Sequence, residues 1–197
     1  SLKVCDGNAD CPLERIAFGL CSILASQVTT EENGKIEIDI SRLQNLVINL
    51  SLSGQLESNV IKRILTDASK HGVTIVASGG NMPTDGIEEA TPLQTTNRYP
   101  GAYSIDGLLA VTSAMKVSGG NWEVFQDTVW GKHLDIAAPG VALPGISATG
   151  ELSPFTGTSF ATGVVTGVVA LLKQLYPQAE AKDVEDCLKT SGVPIML

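Results

Sequence analysis

The sequence predicts an α/β fold, a doubly wound, mostly parallel sheet with helices on both faces. Three observations lead there. Leu46–Leu52 and Val73–Ser78 are short, continuously apolar runs, the pattern of strands buried on both faces of a parallel sheet. Between them, Val60, Ile61, Ile64, Leu65 and Ala68 recur on one helical face within residues 56–70, which completes a right-handed βαβ unit. Val164–Leu172 is an apolar run of helical length that starts directly behind Gly157-Thr158-Ser159.

The remaining elements follow in chain order. Leu2–Cys5 reads as a short strand ended by an Asp-Gly turn. Pro12 opens a helix to about Ala25, with Leu13, Ile16, Ala17, Leu20, Cys21 and Leu24 at helical spacing. Residues 27–44 are polar and read as an insertion, a small hairpin or edge strand in which Ile36, Ile38 and Ile40 alternate with charged residues. Gly72 stops the second helix. Residues 82–100 form a polar loop, Leu109–Ala114 is a third strand, and Leu134–Gly140 follows a connection rich in Trp and Gly. A last amphipathic helix covers roughly Ala181–Leu188.

Composition narrows the function classes. With 197 residues, 43% of them hydrophobic and only 17% charged, the chain is expected to form a single domain over 1–197 with a sizeable core. Aromatic residues are only 5%, so that core must be built from Val, Ile, Leu and Ala. A formal net charge of −8 argues against nucleic acid or an anionic membrane as partner. The run Val164–Leu172 is too short for a membrane span and is followed by Lys173 and Gln174. No signal-peptide pattern is visible, and the fold is expected to be N-terminally incomplete. Cys5 and Cys11 bracket a turn-like segment, where an oxidising compartment would allow a local disulfide. Cys21, on an apolar helical face, is expected to be a buried free thiol. No spacing of Cys and His suggests zinc.

Ligands of such sheets sit at the carboxyl ends of the strands. Ser159 falls there, in the first turn of a helix, where unpaired N–H groups and the helix dipole favour developing negative charge. It is placed as an acyl-transfer serine would be. The plainer role for Thr158-Ser159 is an N-cap. Ser51-Leu52-Ser53-Gly54 and Ala77-Ser78-Gly79 end adjacent strands in small residues that let a substrate backbone approach. Asn81 ends the second of these strands and offers amide donors suited to an oxyanion hole, although a turn asparagine after glycine is the commoner role.

Val47-Ile48-Asn49-Leu50-Ser51-Leu52, Val76-Ala77-Ser78-Gly79-Gly80-Asn81, Leu134-Asp135-Ile136-Ala137-Ala138-Pro139-Gly140 and Gly157-Thr158-Ser159-Phe160-Ala161 occur in this order. Together they resemble the larger, second part of a subtilisin-like (subtilase) serine protease, over about Leu2 to Leu188 apart from the 27–44 insertion. The resemblance implies a serine endopeptidase acting through an acyl-enzyme on Ser159, with Asn81 completing the oxyanion hole. It implies that Ser51, Leu52, Ser53, Gly54, Ala77, Ser78 and Gly79 flank the bound peptide and its main specificity pocket. The chain departs from the family where Gly163 and Val164 replace the usual Pro-His, which should alter helix packing, and where Phe160 replaces the usual methionine. Ala161 excludes the G-x-S-x-G elbow of α/β-hydrolases.

A serine needs a base, and the base an orienting carboxylate. The family's Asp and His belong to motifs that have no counterpart in these residues. The two histidines, His71 and His133, stand at the amino ends of the strands that follow them and are not expected to serve. Three arrangements follow: Asp and His on a preceding segment, Asp and His on a separate chain, or a catalytically inactive domain that binds peptides or proteins. A sedolisin-type acid peptidase is a fourth, against which Asn81 counts because that family carries aspartate there. The expected partners are a polypeptide substrate and the polypeptide that brings Asp and His, and the expected location is secreted or extracytoplasmic. No cofactor is expected. Calcium is common in the family, but no dense acidic loop assigns a site, and Asp85, Glu88 and Glu89 read as solvated loop acids.

Overall fold

The computed structural model describes residues 2–8, 10–30, 36–38, 40–82, 97–129 and 131–195. Pro12 stands at the N-cap of helix α1 (Leu13–Ala25), as its fixed φ favours. Strands β1 (Val28–Thr30) and β2 (Ile36–Ile38) pair antiparallel into a hairpin, and a short helix α2 (Ile40–Gln44) leads to β3 (Val47–Leu50). Helix α3 (Asn59–Lys70) starts at Ser58, whose hydroxyl accepts the Ile61 N–H at 3.3 Å, and stops before Gly72, at φ +89°. Next come β4 (Thr74–Ser78), β5 (Leu108–Lys116), β6 (Trp122–Val124), β7 (Ile136–Pro139) and the hairpin of β8 (Leu143–Ile146) with β9 (Leu152–Phe155). Helices α4 (Thr158–Leu175) and α5 (Ala181–Ser191) close the chain.

The central sheet is mostly parallel: β3, β4, β5 and β7 run the same way, and β6 is antiparallel to β5. Strand β5 outlasts β4, and beyond Val111 its free edge is taken up by β6. Side chains then sort by strand parity. Ile48, Leu50, Ile75, Ala77, Leu108 and Ala110 pack against α1 and α3 with Ile16, Leu20, Ile61 and Leu65. Val76, Leu109 and Val111 face α4 and α5, meeting Ala161, Val165, Val169 and Val184. Helices therefore cover both faces, as a doubly wound fold requires. Lys173 in the last turn of α4 is buried, and its ammonium donates to the carbonyls of Gly72 and Ala179 at 3.1 and 2.9 Å. Burial lowers its pKa.

Several elements differ from the sequence expectation. Residues 2–5 form no strand; Val4 lies over Gly19 of α1, so its burial comes from the helix. Cys21 is free but exposed, because α1 turns Ile16, Gly19 and Leu20 inward. Strand β3 is not buried on both faces: Asn49 is exposed, and among the described residues no strand lies outside β3. Val60 points to solvent, the core face of α3 being Ile61, Leu65 and Ala68. The sequence predicts no strand at β6, β8 or β9, which are only three or four residues long, too short for a periodic signal to stand out. By length and composition α4 would pass for a membrane span, although its apolar run alone is shorter; it packs on β3, β4, β5 and β7. Asp85, Glu88 and Glu89 lie outside the described residues.

Candidate active site

The parallel register brings the ends of β3, β4 and β7 to one edge of the sheet, and α4 starts there. Gly157 N–H donates to the Gly140 carbonyl at 2.8 Å, which ties the start of α4 to the end of β7. Gly157 has φ +146°, a conformation that favours glycine, and a Cβ there would sit 3.2 Å from Asn81 Nδ2. Helix α4 has no cap from its own N-cap side chain. Asn81 supplies it from the end of β4: its Oδ1 accepts the Thr158 N–H at 2.9 Å and the Thr158 hydroxyl at 3.1 Å. Thr158 Oγ1 also meets Ser78 Oγ at 2.7 Å, in a site where both side chains are buried.

This arrangement orients the Asn81 amide. With Oδ1 engaged by two donors, Nδ2 is the end left to face the exposed side of the residue. Ser159 follows in the first turn of α4, where N–H groups have no intrahelical acceptor. Its hydroxyl donates to the Ser51 carbonyl at 3.2 Å, and the Ser51 hydroxyl donates to the Ser159 carbonyl at 2.8 Å. Phe160 stacks on Phe155 of β9 with centroids 5.1 Å apart, so the bulkier neighbour of Ser159 is accommodated by the hairpin.

Ser159, Asn81 and Ser51 are thus brought together. Ser51, Leu52, Ser53 and Gly54 line a cleft of about 670 Å³ together with Leu56, Ile61, Tyr103 and the two cysteines of the Cys5–Cys11 disulfide. Asp6 shapes the small loop closed by the disulfide, its carboxylate accepting the N–H groups of Asn8 and Asp10. Ala77, Ser78 and Gly79 hold a different position: all three are buried, Ala77 in the core against α1 and α3 and Gly79 under Leu134 and the Val111 carbonyl. They stand at the carboxyl end of β4, where the Gly101 backbone approaches the Ser78 carbonyl and the Val129 N–H donates to the neighbouring Gly80 carbonyl at 2.9 Å. Sequence reasoning offered Thr158 only as an N-cap, whereas Gly157 holds that position and Thr158 instead bonds Asn81 and Ser78. The signal was available, since a small polar residue one place before a helix-start serine is within reach of the preceding strand end.

Both histidines lie at the opposite, amino end of the sheet. His71 is the C-cap of α3, and its Nδ1 contacts the Asp67 carbonyl at 2.8 Å. The five residues of β4, about 17 Å at roughly 3.3 Å each, separate it from the edge that carries Ser159. His133 lines a second cavity with Asp135, Glu185 and Lys189; burial lowers its pKa, against the opposing charge of Asp135. Lys189 pairs with Asp135 at 2.6 Å, and that hydrogen bond raises its pKa. Among the described residues no group of three or more His, Cys, Asp and Glu side chains gathers as a metal site.

A serine at the mouth of a helix, beside a side-chain amide at the carboxyl edge of a parallel sheet, is the geometry of the subtilisin class of folds. The description of the Subtilase family matches residues 7–193, and the chain belongs to that family. Relatives include subtilisin DY of Bacillus licheniformis, 31% identical over 146 residues that make up 74% of this chain and 49% of that protein. The subtilisin of Bacillus pumilus is 31% identical over 147 residues, again 74% of this chain and 49% of the relative. Among solved structures, the S41 psychrophilic protease superposes with a TM-score of 0.71 at 25% identity, covering 97% of this chain and 60% of that one. A cold adapted subtilisin-like serine proteinase gives 0.70 at 19% identity, covering 95% and 57%. The chain therefore spans about half the length of the curated relatives it matches.

Proposed function

We propose that this chain is the nucleophile-bearing part of a serine endopeptidase. Ser159 attacks the carbonyl of a peptide bond; its hydroxyl proton passes to a histidine as the Oγ–C bond forms, and the carbonyl electron pair moves onto oxygen. The Ser159 N–H and Asn81 Nδ2 hold that oxyanion. The histidine then protonates the leaving amine as the C–N bond breaks, and water repeats the sequence to release the acid. The observation that supports this reading is the double engagement of Asn81 Oδ1 by Thr158, which leaves the donor end of the amide available to an oxyanion.

The base and its aspartate come from polypeptide outside these 197 residues. Two features beside Ser159 support this. Strand β3 has no strand on its outer edge among the described residues, and such an edge accepts an added strand through main-chain hydrogen bonds. Helix α4 also keeps Val164, Val168, Leu171 and Leu175 exposed, up to 71% for Leu175, an apolar stripe that asks for a covering layer. The substrate is a polypeptide, bound along the Ser51–Gly54 strand end, and the Cys5–Cys11 disulfide fits a secreted setting.

The second reading, a domain that binds peptides without cleaving them, is favoured by one observation: the Ser159 hydroxyl rests on the Ser51 carbonyl and, among the described residues, meets no titratable group. A fluorophosphonate probe separates the two. Labelling of Ser159 when the chain is joined by the polypeptide carrying Asp and His supports the protease. An unlabelled Ser159 with and without that polypeptide refutes it and leaves the binding domain.

A further inference from the structure

The end of β3 and the first turns of α4 are joined by polar side chains that the acyl-transfer chemistry leaves without a role. Strand parity puts Val47, Asn49 and Ser51 on the α4 side of the sheet, while Ile48 and Leu50 enter the opposite core. Helical periodicity puts Ser159, Thr162 and Thr166 in line along α4. The two patterns meet. Thr166 Oγ1 donates to Asn49 Oδ1 at 2.8 Å, Asn49 Nδ2 donates to Ser51 Oγ at 3.0 Å, and Ser51 Oγ donates to the Ser159 carbonyl at 2.8 Å.

The direction of this chain is set at each atom. The Ser51 hydroxyl proton goes to the Ser159 carbonyl, so its oxygen is free to accept from Asn49, and that requires the Asn49 amide nitrogen. The Asn49 oxygen is then left for Thr166. The Thr166 hydroxyl also lies 2.8 Å from the Thr162 carbonyl and shares its one proton between two acceptors, an arrangement a valine would abolish.

We propose that Asn49 and Thr166 are positioning residues for Ser159, fixing the nucleophile's backbone against the end of β3 through Ser51; this rests on the protease reading above. Three anchors then locate Ser159. Asn81 holds the residue before it, Gly157 N–H is tied to β7, and the Thr166–Asn49–Ser51 chain holds its own carbonyl. The Asn81 and Gly157 anchors both act before Ser159 and leave the orientation of its own carbonyl unset. The third anchor removes that freedom by holding the Ser159 carbonyl against the end of β3. Misplacement of a reacting atom by about 1 Å costs on the order of a hundredfold in rate. The chain itself is partly exposed, Asn49 being a surface residue, so its loss removes little buried area.

The test compares Asn49→Ala, Asn49→Asp, Thr166→Val and Thr166→Ser with the wild type, in the full assembly that the phosphonate labels. The expected result is a fall in the inactivation rate constant of about ten- to a hundredfold for Asn49→Ala, with the probe's binding constant unchanged. Asn49→Asp should lose as much, because a carboxylate turns the Ser51 hydroxyl away from Ser159. Thr166→Val should lose a few-fold and Thr166→Ser should regain the wild-type rate. Melting temperatures should stay within about 3 °C. Labelling at the wild-type rate in Asn49→Ala and Thr166→Val overturns this proposal and leaves the protease reading standing. An unlabelled wild type overturns both.

Discussion

Thr158→Val isolates the buried hydrogen bonds that tie the nucleophile helix to β4. Valine keeps the shape of threonine but removes the hydroxyl, which bonds Ser78 Oγ at 2.7 Å and Asn81 Oδ1 at 3.1 Å. Thr158 is fully buried and Ser78 is 1% exposed, so the Ser78 hydroxyl is left without a partner or access to water. A buried donor stranded in this way costs about 1–3 kcal/mol. For a chain of this size that lowers Tm by roughly 2–4 °C per kcal/mol. Ser78→Ala alone should cost less, about 0.5–1.5 kcal/mol, because the Thr158 hydroxyl keeps Asn81 as its acceptor. The double substitution removes both ends of the bond and should be no worse than Thr158→Val alone. The expected coupling is therefore about 1 kcal/mol, measured by guanidinium unfolding of the four proteins with equal m-values. Strictly additive single substitutions, within about 0.3–0.5 kcal/mol, would refute the shared bond. Since Asn81 keeps the Thr158 N–H, turnover in the assembled enzyme should fall only about tenfold.

Asn81→Leu should lower turnover by about 10²–10³ with little change in KM, measured on a peptide substrate; an unchanged turnover would remove Asn81 from the oxyanion hole. Gly157→Ala places a Cβ 3.2 Å from Asn81 Nδ2 on a backbone at φ +146°, so both Tm and labelling of Ser159 should drop; retention of both would show that the turn adapts. His133 supplies a pH dependence. Burial lowers its pKa, so below the ordinary value of 6.5 the unfolded chain takes up a proton that the folded chain resists. That contribution to stability is complete above pH 6.5 and is lost as the pH falls from there towards the folded pKa. His133→Gln should lose less Tm than the wild type between pH 7 and 5, and parallel pH profiles would contradict the assignment.

Much of this protein was legible in its residues. The largely apolar runs at Leu46–Leu52 and Val73–Ser78 and the helical stripe between them point to the parallel βαβ unit, although only the second strand is buried on both faces. The order of four motifs pointed to the family. Ser159 and Asn81 could be named as partners because Asn81 follows the carboxyl end of β4 and Ser159 stands at the amino end of α4, and chain direction brings strand carboxyl ends and helix amino ends to one edge of such a sheet. Contacts between distant segments were not legible. That Asn81 caps α4 through Thr158, that Ser78 is buried beneath Thr158, and that Asn49 reaches Thr166 across 117 positions depend on how α4 lies across β3 and β4. The same packing decides that Ala77 and Gly79 are buried and that Asn49 of β3 is exposed, since exposure belongs to the assembled layers and local sequence carries no record of it. Local chemistry thus determined which residues were fit for acyl transfer, and tertiary packing decided which way their hydrogen bonds point and which face of Ser159 stays open.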